Sequence, residues 1–164
     1  MITVRKLKLT VIGTDEERKQ GYKFIRDSQY AQYQGLNLAM GILSSAYLES
    51  NRDIKSDTFK NAQKSLTNSN PLFEGIAFGT GIDTKSSITQ RVKKDFKTSL
   101  KNGLAKGERT ITNYKRNYPL MTRGRDLKFM YEGDDILIKW VNKIIFKVVL
   151  GATKRKENSI ELQH

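Results

Sequence analysis

The sequence predicts an α+β fold, an antiparallel β structure interrupted by helices. Apolar residues alternate at both ends of the region 2–150, which is typical of strands. Between them, two long segments have the three- and four-residue apolar spacing of amphipathic helices. A strand, then helices, then further strands indicates a β unit that contains a helical insertion. A chain of 164 residues suits one compact domain of this kind.

The first strand is predicted over residues 2–11. Leu7, Leu9 and Val11 alternate there with polar residues. The apolar residues nearer the start fall in the opposite phase, so we expect a bulge near Arg5.

A long helix is predicted from a capping box at Thr14 and Glu17 to about Ser50. Gly35 and Gly41 within it either weaken the helix or allow another part of the chain to approach closely. Apart from polar Gln29, an apolar stripe with helical spacing follows the helix: Tyr22, Ile25, Tyr33, Leu36, Met40, Leu43 and Tyr47.

Such a stripe is usually core. Tyr30 and Leu38 widen it, however, and this favours a second interpretation, a contact with another copy or a partner protein. The residues expected at such a contact are Tyr30, Tyr33, Leu36, Met40, Leu43 and Tyr47.

Residues 51–84 are polar and then glycine-rich. We expect a short helix near 54–67, followed by a loop that Phe73, Ile76 and Phe78 anchor. No strand precedes Gly79-Thr80-Gly81, which therefore indicates a turn and not a phosphate-binding loop.

A second clear helix is predicted from Thr84 to Gly103, where glycine favours its end. Its inner line is expected to be Ile88, Val92, Phe96 and Leu100. The basic residues of this segment lie on its other faces.

The last third predicts a meander of antiparallel strands. Alternating residues end at Tyr131, residues 132–135 form a turn, and a second alternation ends at Trp140. A tight connection over 141–143 leads to a final strand over 144–150. We expect Trp140 in a core and not as a base-stacking platform. Four strands of this size would make a poorly closed barrel.

Charge is concentrated in one part of the chain. The net charge is +13, and residues 85–128 carry thirteen basic and three acidic side chains. A solvated helix face is the plain alternative, but it would leave about ten like charges without compensation. Clustered cations of this kind favour RNA or DNA as a partner. A membrane is disfavoured, because no apolar run approaches the ~20 residues of a spanning helix.

Residues 106–125 combine Lys and Arg with hydroxyl and amide side chains, groups that contact phosphates and sugars. Tyr114 and Tyr118 are able to stack on bases. Burial in a core is the alternative for both tyrosines.

No catalytic centre is predicted. The sequence has no phosphate-binding loop with lysine and no nucleophile or metalloprotease motif, and its one histidine is His164. Asp134-Asp135 lies in a predicted turn without a third acid, so a metal site is not expected there. The chain has no cysteine, and we expect no cofactor and a cytoplasmic location.

Three segments resemble the N-terminal part of the miniature type V-F CRISPR-associated nucleases, relatives of the TnpB proteins. They are residues 1–10, residues 22–30 and, most specifically, residues 107–124, and the similarity continues through Trp140 and residues 146–151. It covers essentially this whole chain but only the first part of the family's length.

The resemblance implies a wedge domain, an oligonucleotide-binding-like β-barrel, interrupted by a helical recognition lobe. It assigns 1–13 and 126–151 to an incomplete wedge, 14–120 to the lobe with a basic segment 85–125, and 152–164 to a polar tail. In the family these parts hold guide RNA, contact the DNA motif beside the target and pair two protomers. The nuclease domain of the family is not in this sequence, so DNA cleavage is not expected.

The charge pattern and the resemblance together predict a set of nucleic-acid-binding residues: Arg5, Lys8, Ser87, Gln90, Arg91, Lys94, Lys97, Lys101, Lys106, Arg109, Tyr114, Lys115, Arg116, Arg123, Arg125 and Lys128.

The leading hypothesis is a nuclease-less mimic that binds guide RNA or a full-length nuclease protomer and inhibits CRISPR immunity, as a phage would encode for use in a bacterial host cell. The first alternative is a fragment or split half of an active RNA-guided DNA endonuclease. The second is a stand-alone RNA- or DNA-binding regulator.

Overall fold

The computed structural model describes residues 6–79, 82–108 and 110–149. Within them the fold is α+β, as predicted, with three α-helices and an open four-stranded antiparallel sheet. The chain divides into two compact units. The sheet unit comprises Met1–Lys23 and Arg123–His164, and the helical unit comprises Phe24–Thr122.

The helices and strands follow the predicted order. Their bounds are β1 Lys8–Ile12, α1 Asp15–Glu49, α2 Asp57–Ser65, α3 Thr84–Lys101, β2 Lys128–Glu132, β3 Asp135–Lys139 and β4 Ile145–Val149. Of the strand predicted over 2–11, the described residues Lys6 and Leu7 lie outside β1, and residues 2–5 lie outside the described residues. The expected bulge near Arg5, part of the Gly79-Thr80-Gly81 turn and the tail 152–164 lie outside the described residues.

In the sheet unit the strand order is β1-β4-β3-β2. The register places Val11 opposite Phe146 and Phe146 opposite Ile138, so apolar side chains line up on one face. Trp140 is buried, with its ring 5.9 Å from that of Phe146, which confirms the core prediction. Tyr131 on β2 is 74% exposed.

The first turns of α1 belong to the same unit. The capping box is confirmed: the Glu17 amide donates to Thr14 Oγ1 at 3.2 Å, and the Thr14 amide donates to Glu17 Oε1 at 3.1 Å. The latter bond lowers the pKa of the Glu17 carboxyl. Tyr22, expected in the apolar stripe, is exposed, and its hydroxyl accepts a hydrogen bond from the Val11 amide at 3.1 Å.

The helical unit has a continuous core built from α1, α2, α3 and the loop after α2. It includes Ile88, Val92 and Phe96, the predicted inner line of α3, and Phe73 and Ile76, which were predicted to anchor the loop. Phe59 of α2 also belongs to this core. Helices α1 and α3 approach closely at Gly35, where an added Cβ would lie 2.7 Å from Ile88 Cδ1. At Gly41, apart from the adjacent residues and the nearby backbone of α1 itself, an added Cβ would meet no described atom within 4 Å.

This packing decides between the two interpretations of the α1 stripe for four of its residues. Leu36, Met40, Leu43 and Tyr47 are at most 2% exposed inside their own unit. Their side chains are therefore core and are not available to a partner on the surface. Of the six residues expected at a protein contact, Tyr30 is exposed and Tyr33 is half-buried.

Candidate nucleic-acid interface

The outer face of α3 carries three exposed lysines. Ile88, Val92 and Phe96 turn one side of the helix to the core, and Lys94, Lys97 and Lys101 lie on the opposite side at i, i+3 and i+7. None of the three ammonium groups makes a hydrogen bond or ion pair with a residue that the structure describes. These lysines are therefore free to meet an anion from solution.

A groove of about 840 Å³ lies beside this face, and we call it the α3 groove. One wall is formed by Asp95, Thr98 and Ser99 of α3, and the other by residues 110–115 and 117–119. Lys94 and Lys101 lie four residues before and three after Thr98, which places both beside the rim.

The lining of the α3 groove is mostly neutral and polar. Apart from Asp95 and Lys115, its polar side chains carry hydroxyl or amide groups. The hydroxyls of Ser99 and Thr112 lie 3.2 Å apart across it. Hydroxyls and amides inside a cationic rim are the groups that contact sugars and phosphates in nucleic-acid complexes.

Two amide side chains of α1 fix the irregular segment 110–121. Gln32 Nε2 donates to the Pro119 carbonyl oxygen at 3.0 Å, and its Oε1 accepts from the Met121 amide at 2.7 Å. Asn37 does the same with the backbone of Tyr114, at 3.0 and 2.9 Å. We call this pair of residues the amide clamp.

The amide clamp determines which side chains of the segment reach the surface. Gln32 is fully buried, and Gln29 adds a third bond from Nε2 to the Tyr118 carbonyl oxygen at 2.8 Å. With the backbone held against α1, Lys115 and Arg116 are exposed between the two attachment points.

The prediction that Tyr114 contacts nucleic acid is wrong. Its side chain is 4% exposed and belongs to the core, so it has no face available for a base. Its hydroxyl donates to Asp95 Oδ2 at 2.7 Å. Burial, reinforced by this bond to a carboxylate, raises the pKa of the Tyr114 hydroxyl far above its ordinary value. Tyr118 is half-buried with its ring edge-on to that of Tyr114.

The other predicted binding residues of the helical unit differ in their exposure and in whether their side chains already have a partner. Arg91 is half-buried and lies 3.9 Å from Asp95, and the Ser87 hydroxyl donates to the Asp83 carbonyl oxygen. Gln90 and Lys106 are exposed. Arg109 lies outside the described residues.

Five predicted residues belong to the sheet unit and not to the α3 groove. Lys8, Arg125 and Lys128 are exposed, and Arg5 lies outside the described residues. Arg123 is half-buried, and its Nε lies 3.0 Å from Asp126 Oδ2. The hydrogen bonds from this guanidinium lower the pKa of the Asp126 carboxyl. Arg123 is thus committed to a local ion pair.

Sequence reasoning missed the amide clamp and a contact between Tyr30 and Arg116. The guanidinium carbon of Arg116 lies 4.5 Å from the centre of the Tyr30 ring, although Tyr30 was expected at a protein contact and Arg116 at nucleic acid. The signal for the clamp was present. Gln32 and Asn37 are amides beside apolar stripe positions of α1, where a buried polar group requires a partner.

Comparison of the chain with protein-family models gave no match, and comparison with curated proteins gave none either. Across the described parts of the chain, no helix combines the length and the hydropathy that crossing a membrane requires. In the same residues, no three acidic or histidine side chains are grouped closely enough to bind a metal ion.

Proposed function

We propose that this chain is a non-catalytic nucleic-acid-binding protein, and that the α3 groove with Lys115 and Arg116 is its interface. The observation that carries the proposal is the row of Lys94, Lys97 and Lys101 on one helix face, without anionic partners among the described residues. Like charges so spaced repel one another, and a row of phosphates would compensate them while releasing bound counterions.

The neutral lining of the α3 groove supports the same ligand. A site for a small metabolite would require a few convergent charged groups in an enclosed pocket. Here the charges lie beside the rim and the hydroxyls and amides lie inside, an arrangement suited to the repeating backbone of a polynucleotide.

We further propose guide RNA as the natural ligand, on the resemblance of residues 107–124 to the miniature type V-F nucleases. On the same basis the sheet would be part of an oligonucleotide-binding-type barrel. The antiparallel pairing of β1 with β4, the first and last described strands, supports the insertion of the helical segment into one sheet, and β1 and β2 are the open edges at which further strands of a barrel would add. A protein of this kind would occupy guide RNA or a nuclease protomer without cleaving DNA, and so inhibit CRISPR immunity.

RNA binding tests the interface. Exchanging Lys115 and Arg116 together for glutamate reverses two exposed charges and is expected to abolish most RNA binding at moderate salt. The matched control, Lys60→Glu with Lys64→Glu, reverses two exposed charges of α2 in the same unit and should bind more tightly than the first pair. RNA binding by the first pair as tight as that of the parent at every salt concentration would reject this interface.

DNA cleavage tests the inhibitory role. The chain is added in increasing amounts to a miniature type V-F nuclease with its guide, and cleavage is expected to fall as the chain saturates the complex. Unchanged cleavage at saturation would reject inhibition. If RNA recovered with the chain from cells contained no guide scaffold, the stand-alone regulator would be favoured instead.

A further inference from the structure

A second recess lies where residues 116 and 117 meet α1. It has a volume of about 330 Å³ and is lined by Arg26, Gln29, Tyr30, Arg116 and Asn117. Asn117 also lines the α3 groove, so one residue borders both. We call this recess the Tyr30 pocket.

The charge of the Tyr30 pocket is entirely positive. It is lined by two guanidinium groups and no carboxylate. Arg26 makes no ion pair with any residue in the described ranges, and the contact that Arg116 makes there is with the Tyr30 ring. Two arginines without anionic partners at one recess indicate an anionic ligand.

The position of Arg116 favours a ligand that also has a planar group. Its guanidinium lies over one face of the Tyr30 ring, at 4.5 Å, and the side chain remains exposed. A guanidinium stacked on an aromatic ring keeps its outer plane free, and nucleobases stack on such planes in complexes with single-stranded nucleic acid. The cation–π contact holds the Arg116 guanidinium against the Tyr30 ring before a ligand binds.

We propose that the Tyr30 pocket binds one unpaired nucleotide of a single-stranded nucleic acid, with its base on the outer plane of Arg116 and its phosphate at Arg26. The amide groups of Gln29 and Asn117 lie beside it, and Gln29 is already oriented by its bond to the Tyr118 carbonyl oxygen. This inference rests on the proposed nucleic-acid binding and adds a base-stacking position to the phosphate contacts of the α3 groove.

The test measures binding of the full chain to a short oligouridylate and to an abasic backbone of the same length. Arg116→Lys keeps the charge but removes the planar group, so it is expected to weaken binding of the oligouridylate about tenfold, a typical effect of losing one stacked base. Binding of the abasic backbone should hardly change. The control Arg52→Lys makes the same exchange at an exposed arginine of the same unit and should behave as the parent.

Tyr30 provides a second variant pair. Tyr30→Phe keeps the ring and should bind the oligouridylate as the parent does, whereas Tyr30→Leu removes the support of the guanidinium and should weaken binding as Arg116→Lys does. An oligonucleotide that carries aminopurine should lose fluorescence on binding the parent, because the base stacks, and lose much less on binding Arg116→Lys.

The outcomes separate this inference from the proposed function. Suppose that the parent binds the oligouridylate and the abasic backbone with equal affinity and that aminopurine fluorescence does not change on binding. This result would overturn the proposed base stacking and leave the proposed phosphate binding intact. An acidic peptide that bound through Arg26 and Arg116 without displacing the bound oligouridylate would also overturn it, because the oligonucleotide would then not occupy these arginines. A parent chain that binds neither backbone would overturn both proposals.

Discussion

The outer face of α3 and the segment 110–121 both present exposed cations, but the two regions are positioned by different forces. Lys94, Lys97 and Lys101 occupy one side of α3 because the apolar residues of the same helix occupy the other. Lys115 and Arg116 have no regular secondary structure, and their positions depend on Gln32 and Asn37 of a distant helix. The first region is set by local periodicity, the second by long-range side-chain hydrogen bonds.

The largest expected effect is a loss of stability on mutating the amide clamp, which positions the segment 110–121 but not the outer face of α3. Gln32→Ala removes a buried side chain together with its two hydrogen bonds, to the Pro119 carbonyl and from the Met121 amide, and is expected to lower the free energy of unfolding by about 2 kcal/mol, about 1 kcal/mol for each bond. Chemical denaturation measures the loss.

The control for this change lies two residues away. The side chain of Gln34 makes no hydrogen bond within the described ranges, so Gln34→Ala should change stability by less than about 0.5 kcal/mol. Equal losses for the two variants would show that the clamp does not stabilise the segment.

The packing of α3 on α1 is tested at two glycines of the same helix. Gly41→Ala meets no described atom and should raise the free energy of unfolding by about 0.5–1 kcal/mol, the usual gain of alanine in a helix. Gly35→Ala places a methyl group against Ile88 and should lower it by about 1 kcal/mol. Thermal unfolding shows whether the two variants change stability in opposite directions. An equal gain in stability for both would contradict the close approach of the two helices.

Two side-chain hydrogen bonds link α3 directly to the segment 110–121, one from Tyr114 to Asp95 and one between the hydroxyls of Ser99 and Thr112. The first of these can be tested by mutation. Tyr114→Phe removes it and should cost about 1 kcal/mol of stability. Tyr47→Phe removes a buried hydroxyl that has no hydrogen-bond partner among the described residues, and should leave stability unchanged or raise it slightly. If both variants lost the same amount in denaturant titrations, the bond would contribute nothing specific.

These contrasts explain what could be predicted from the sequence. The capping box at Thr14, the inner line of α3 and the core position of Trp140 follow from patterns within a few residues, and all three are confirmed. Local spacing also placed Lys94, Lys97 and Lys101, together with Arg91, on faces of α3 other than its inner line, and the three lysines are exposed.

Sequence patterns that extend over only a few residues could not reveal contacts between distant parts of the chain. The hydrogen bonds of Gln32 and Asn37 join residues 77 to 89 positions apart, and the Arg116–Tyr30 contact spans a similar separation. For the same reason Tyr114 looked available for a base, although its burial depends on α1 and on Asp95 of α3.

The salt dependence of RNA binding tests the central claim most directly. Replacing Lys94, Lys97 and Lys101 together with alanine should reduce the slope of log K against log salt by about 2 for a single strand, since each lost phosphate contact removes about 0.7. The control, Lys55, Lys60 and Lys64 to alanine, removes three exposed charges from the region of α2 in the same unit and should reduce the slope much less. Equal slopes for the two triple variants would contradict the assignment of the α3 groove as the interface.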